Sequence, residues 1–207
     1  MDGTLIDTTN MHMDSWVTAL ALYGKSIQKE ETLVHFGKNN RSITPLFFPD
    51  ATPELIAEIA DKKEEEFRNL VPGNTKLYPG ALEWLSFFKS LGIVQSIASS
   101  APTANIDVLL DETGIRSYFQ YIGSGALIPG KPDPTLFLDV SRVLDIPPDR
   151  CLVIEDAPAG IEAAARANMP CVAITNSRHE VELQDASLII HEFSEDALAQ
   201  VAAKFIN

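Results

Sequence analysis

The second half of this 207-residue chain alternates short apolar runs with helix-patterned segments, and that alternation leaves few folds open. GIVQSIAS (92–99), CLVIE (151–155), CVAI (171–174) and SLII (187–190) have the length and apolar content of buried strands. Between and after them lie PTANIDVLLDETG (102–114), closed by Gly114, and the segment 133–145, with Leu136, Phe137, Val140 and Leu144 at helical spacing. The alanine-rich PAGIEAAARANM (158–169) and SEDALAQVAAKFI (194–206), opened by Ser194 as an N-cap, complete the series. The stretch with Gly123, Gly125, Pro129 and Gly130 reads as a loop. Short apolar strands alternating with helices predict an α/β fold, a parallel sheet covered on both faces.

The first part follows another rule. MHMDSWVTALALYG (11–24) is a helix stopped by Gly24, and residues 29–36, 41–48 and 53–70 predict three more, with a break at Pro49 and Pro53. The run DKKEEEFR in the longest of them reads as a solvated face with i,i+4 charge neighbours. YPGALEWLSFFKSLG (78–92) turns at Pro79-Gly80 and returns to the α/β pattern. The chain therefore divides into an α/β core, residues 1–9 and 79–207, and an inserted all-α module, residues 10–78.

A net charge of −13 argues against a nucleic-acid groove or an anionic membrane surface as partner. No apolar run approaches the ~18 residues of a membrane span. Cys151 and Cys171 each begin an apolar run, and two cysteines at this spacing do not make a secreted disulfide framework. The expectation is a cytoplasmic protein with reduced thiols, a monomer or weak homodimer.

Four scattered segments carry chemistry. They are Asp2-Gly3-Thr4-Leu5-Ile6-Asp7-Thr8, Ser99-Ser100 at a strand end, Gly130-Lys131-Pro132-Asp133-Pro134, and Glu155-Asp156-Ala157-Pro158 directly after a strand. In open parallel sheets ligands sit beyond the carboxyl ends of the strands. Each segment alone has an ordinary explanation: a turn, a strand-end hydroxyl, a surface lysine, a helix cap. Together, on an alternating frame, carboxylates, a hydroxyl and a lysine suit the holding of Mg²⁺ and a phosphoryl group.

These segments resemble the four motifs of the haloacid dehalogenase superfamily, in the subgroup with a helical cap after the first motif. The flanking YPGALEWLSFFKSLGI, GKPDPTLFL and VIEDAPAGIEAAARANM extend the resemblance over the chain, closest to the β-phosphoglucomutase-like and sugar-phosphate phosphatase group. The resemblance implies a Rossmann-like core with an inserted cap domain, and a Mg²⁺-dependent phosphatase acting on a small phosphorylated metabolite such as a sugar or polyol phosphate. Asp2 matches the general acid/base, and its carbonyl a Mg²⁺ ligand. Glu155 and Asp156 match the metal-holding acidic pair, and Lys131 the lysine that offsets charge at the transferring phosphoryl group. Gly3, Thr4, Ser99 and Ser100 match the phosphate cradle. His12 and Arg41 match cap positions that face substrate, Arg41 the better because a guanidinium can bind phosphate bidentately. Asp7 and Thr8 read as caps of the first module helix rather than as reacting groups.

The superfamily's first motif reads Asp-x-Asp-Gly-Thr after a strand, and its first aspartate attacks phosphorus to form an aspartyl-phosphate. Here Asp2 is the second aspartate and Met1 the x, so the nucleophile and its strand fall before Met1. The expectation is a gap between the strand ending at Ser99 and the one ending at Glu155, and a natural chain that begins upstream. A phosphomutase and an inactive phosphometabolite-binding protein are the competing readings.

Overall fold

The computed structural model describes residues 1–35 and 40–206, with the side chains of residues 33–35 and 42 outside that description. The chain forms two compact units, Thr8–Thr75 and Met1–Asp7 with Lys76–Asn207.

The first unit is helical. It holds α1 (Thr9–Leu22), a 3-10 helix (Lys29–His35), α2 (Asn40–Phe47) and α3 (Pro53–Leu70). Thr52 caps α3 by accepting from the Leu55 amide at 3.3 Å, and Pro53 follows at the first helical position, where its missing N–H is no loss. Trp16, Leu20, Ile27, Ile43 and Ile59 form the unit's core. Three expectations need correction. The segment 29–36 is 3-10 rather than α-helical, and its residue 36 lies outside the described residues. Thr8 occupies the N-cap position of α1, but its side chain makes no capping bond. The DKKEEEFR run is solvated only in part. Lys62 pairs with Glu65 and Glu66 at the surface, whereas Lys63 on the neighbouring face is 2% exposed.

The second unit is the α/β core. Its helices are α4 (Ala81–Ser90), α5 (Thr103–Thr113), α6 (Thr135–Val143), α7 (Pro158–Arg166) and α8 (Glu195–Phe205). The strands form two parallel sheets. β1 (Ser96–Ser99) pairs with β2 (Tyr121–Ser124), and β3 (Val153–Glu155), β4 (Cys171–Ile174) and β5 (Leu188–Ile190) run side by side in that order. Alternation along β4 explains why its sequence is apolar throughout. Cys171 and Ala173 pack with Phe137, Val153 and Ile161, while Val172 and Ile174 pack with Trp84, Phe88 and Phe193. Ala98 of β1 packs against the same cluster as Val153 of β3, yet among the described residues no ladder joins those two strands.

β2 lies where the sequence reads as a loop. The residue that hid it is Gly123, a strand breaker by composition. A Cβ at Gly123 would stand 2.8 Å from Val140 Cγ2, so the bare backbone is what lets α6 lie close on this strand. Cys171 opens β4 and is buried, whereas Cys151 precedes β3 and is half-buried; both are free thiols. Among the described residues no helix is long and apolar enough to cross a membrane.

Candidate active site

The site is assembled around Asp156, at the carboxyl end of β3. The Asp2-Gly3-Thr4 turn reaches it from far along the chain. The Met1 carbonyl accepts from the amides of Thr4, Leu5 and Ile6 at 3.2, 2.8 and 3.2 Å, and the Gly3 amide donates to the Ile6 carbonyl at 2.9 Å. Ile6 is fully buried and bridges to Asp2 on one side and Leu77 on the other, which anchors the turn. Gly3 has φ +70°, a left-handed conformation glycine adopts without strain, and a Cβ on it would lie 2.2 Å from Asp156 Oδ2. The turn thus brings bare backbone against the carboxylate.

Thr4, 3% exposed, donates its hydroxyl to Asp156 Oδ1 at 2.7 Å. Ser177 donates to the Asp156 carboxylate as well, and Asn176 Nδ2 donates to the Thr4 carbonyl at 3.0 Å. Beside Asp156, Glu155 forms an ion pair with Lys131 and accepts from the Asp156 amide at 3.0 Å. Lys131 Nζ also stands 4.7 Å from the centre of the Phe137 ring. Gly160, in the first turn of α7, is needed here because a Cβ on it would fall 2.1 Å from Glu155 Cδ.

Charge is unevenly balanced in this cluster. Burial pushes the Glu155 carboxyl up, but the Lys131 ammonium and its hydrogen bond outweigh that and hold it below the usual range. Asp156 is raised, by burial first and then by the Glu155 charge, against the lowering influence of the N-terminal ammonium and of the bonds from Ser177 and Thr4. The Tyr78 phenol is pushed up to about 12 by burial and by the charges of Asp7 and Asp156, so it stays protonated.

Ser99, 5% exposed, ends β1 and accepts from the Ala101 amide at 3.2 Å, while Ser124 at the end of β2 donates to the Ala101 carbonyl at 2.7 Å. Ser100 is exposed. The structure therefore brings Gly3, Thr4, Lys131, Glu155 and Asp156 into one bonded cluster, with Asp2 beside Gly3 and its Oδ1 shut off from solvent. Among the described residues Ser99 joins that cluster through no hydrogen bond. His12 and Arg41 belong to the helical unit. His12 Nδ1 accepts from Lys63 Nζ at 2.8 Å and its ring stacks on Phe67 at 4.2 Å; Arg41 is exposed. Asn176, Ser177 and Tyr78 were not singled out by sequence. Their signal was position: Asn176 and Ser177 lie just past the carboxyl end of β4, where open sheets collect ligand-binding residues.

Mg²⁺ takes oxygen donors and is bound through one or two carboxylates, with waters and phosphate completing its octahedron. Among the described residues no three acidic, histidine or cysteine side chains converge as a metal cage. The donor set nonetheless fits Mg²⁺. Asp156 is pressed against the Gly3 backbone, and Glu155 beside it is largely committed to Lys131.

Residues 1–174 match the family model for haloacid dehalogenase-like hydrolases. The chloroplastic 5-amino-6-(5-phospho-D-ribitylamino)uracil phosphatase of Arabidopsis thaliana is 30% identical over 198 residues, covering 94% of this chain and 53% of that protein. The chain thus spans about half the length of that plant relative. A phosphorylated carbohydrates phosphatase of Thermotoga maritima is 28% identical over 82% of this chain and 79% of its own. CbbY from Rhodobacter sphaeroides, solved as a variant in complex with xylulose-(1,5)bisphosphate, superposes with a TM-score of 0.84 at 27% identity, over 94% of this chain and 92% of that one.

Proposed function

The chain belongs to the haloacid dehalogenase-like hydrolases, and on that footing we propose that it is a Mg²⁺-dependent phosphatase of a small phosphorylated metabolite, a sugar or polyol phosphate. The observation that carries this reading is the Asp156 carboxylate, held by the Thr4 and Ser177 hydroxyls beside the Lys131–Glu155 pair. The substrate class is supported by the carbohydrate phosphatase and the sugar-bisphosphate complex among its relatives.

The phosphoryl group would lie beyond the carboxyl ends of β1 and β3. Ser99, whose oxygen takes the Ala101 amide, can turn its O–H toward a phosphoryl oxygen, and Ser100 and the Gly3-Thr4 turn would complete the cradle. Lys131 would offset negative charge as the phosphoryl group transfers. The attacking carboxylate is proposed to stand two positions before Asp2, on a strand between β1 and β3, and to form an aspartyl-phosphate. Asp2 would give a proton to the leaving oxygen and then take one from the water that releases phosphate. Mg²⁺, held by Asp156 and the Asp2 carbonyl with Glu155 alongside, would draw negative charge from the phosphoryl oxygens. His12 and Arg41 are proposed to contact the rest of the substrate from the helical unit, which would act as a cap. With a net charge of −13, the protein is proposed to work in the cytoplasm as a monomer or weak homodimer, away from nucleic acid and membranes.

The test is phosphate release from sugar phosphates by a chain extended upstream through that strand. Asp156→Ala and Lys131→Ala are each expected to lower the rate by about 10²–10³-fold or more. Wild-type rates in both variants overturn the assignment. Isomerised sugar phosphate without net phosphate release marks a phosphomutase instead, and binding without turnover marks a phosphometabolite-binding protein.

A further inference from the structure

Asn176 and Ser177 follow β4 and close a ring of hydrogen bonds around Asp156. Ser177 donates to its carboxylate, Thr4 donates to the other carboxylate oxygen, and Asn176 donates to the Thr4 carbonyl. The ring joins three segments that meet only in the folded chain. We propose that Asn176 and Ser177 are positioning residues that fix the Asp156 carboxylate for a divalent cation, an inference that rests on the phosphatase reading above.

Three observations support a positioning role over simple loop closure. First, the partners of the carboxylate are hydroxyls. Each occupies one lone pair of its oxygen and leaves another open, and neither cancels the charge. The nearby cation Lys131 pairs with Glu155 rather than with Asp156. Second, the Gly3 backbone approaches the carboxylate so closely that a Cβ on residue 3 would fall 2.2 Å from Asp156 Oδ2. Third, Asn176 acts on the turn rather than on the carboxylate. By holding the Thr4 carbonyl it fixes the turn that carries the Asp2 carbonyl, the second proposed donor. Hydrogen-bond partners of metal-binding carboxylates commonly set metal affinity by orienting the ligand before the metal arrives.

The experiment titrates MgCl₂ into the full-length protein without substrate, by calorimetry, in the wild type, Ser177→Ala and Ser177→Thr, with circular dichroism to establish that each is folded. Ser177→Ala is expected to weaken Mg²⁺ binding about tenfold, and Ser177→Thr, which keeps the hydroxyl, to bind like the wild type. Equal affinity in Ser177→Ala and wild type, or no Mg²⁺ binding by the wild type, overturns the proposal. Phosphate release measured in the same samples separates the two readings. Hydrolysis with Ser177-independent Mg²⁺ binding overturns the positioning role alone. A Ser177-dependent Mg²⁺ site with no hydrolysis of any phosphomonoester supports the positioning role and overturns the phosphatase.

Discussion

Each unit of this chain buries a lysine–glutamate pair against a phenylalanine ring. In the helical unit Lys63 and Glu64 are 2% and 12% exposed, with Lys63 Nζ 5.3 Å from the Phe67 ring centre. In the core Lys131 and Glu155 are 14% and 8% exposed, with Lys131 over Phe137. The surroundings differ. His12 from α1 and Asn40 from α2 both bond to the Lys63–Glu64 pair, which ties three helices together. The Lys131–Glu155 pair instead lies beside a second carboxylate, Asp156. Burial would raise the Glu64 carboxyl, but the Lys63 ammonium and the Asn40 bond hold it below the ordinary value, whereas Asp156 is raised. The first arrangement satisfies its charge and stabilises the fold. The second leaves charge unsatisfied, as a site that must bind something does.

The largest expected effect on this contrast comes from truncating the buried lysine of the helical unit. Lys63→Ala leaves Glu64 buried without its ammonium, and loss of one partner of a buried pair costs about 3–5 kcal/mol. The two tryptophans report the units separately, since Trp16 lies in the helical core and Trp84 in the α/β core. Urea unfolding followed by Trp16 fluorescence in a Trp84→Phe background should show the loss. A midpoint shift seen only by Trp84, in a Trp16→Phe background, would contradict it.

The sharper comparison neutralises one acid in each unit without metal. Glu64→Gln removes a charged hydrogen-bond partner of Lys63 and should destabilise the helical unit by about 1.5–3 kcal/mol. Asp156→Asn removes one of two adjacent buried carboxylates at nearly the same size, with one of the two hydroxyls turned to accept from the amide nitrogen. It should stabilise the core by about 0.5–2 kcal/mol while removing activity, the trade-off expected where a site is held in a strained charge state. Destabilisation by both substitutions would erase the distinction between the two clusters.

The same contrast explains what the sequence made legible. Runs such as CVAI announce themselves because a strand buried on both faces needs apolar residues at every position, and the DGT turn, Lys131 and the Glu-Asp pair occupy recognisable places beyond strand ends. Tyr121–Ser124 stayed hidden because Gly123 serves the packing of Val140, a tertiary demand that looks locally like a turn. Lys63 stayed hidden because its neighbours Lys62, Glu65 and Glu66 are solvated, and burial of one charge in such a run depends on residues from other helices. Asn176 and Ser177 are ordinary loop residues until Thr4 and Asp156 are brought to them across the fold.

The smallest expected effect is the pH dependence of the helical unit. Glu64 accepts from Lys63 on α3 and from Asn40 on α2, and Lys63 in turn bonds to His12 of α1. Because the folded-state pKa of Glu64 lies below its unfolded value of 4.5, ionised Glu64 contributes stability that is fully present above pH 4.5. That contribution falls away as pH drops through the depressed folded value, where the folded form must also take up the proton. Urea midpoints read from Trp16 between pH 6 and pH 3 should therefore converge for the wild type and Glu64→Gln as the solution becomes more acid. A constant difference between the two across that range would mean that the Glu64 charge, and with it the satisfied half of the comparison, does not hold the helices together.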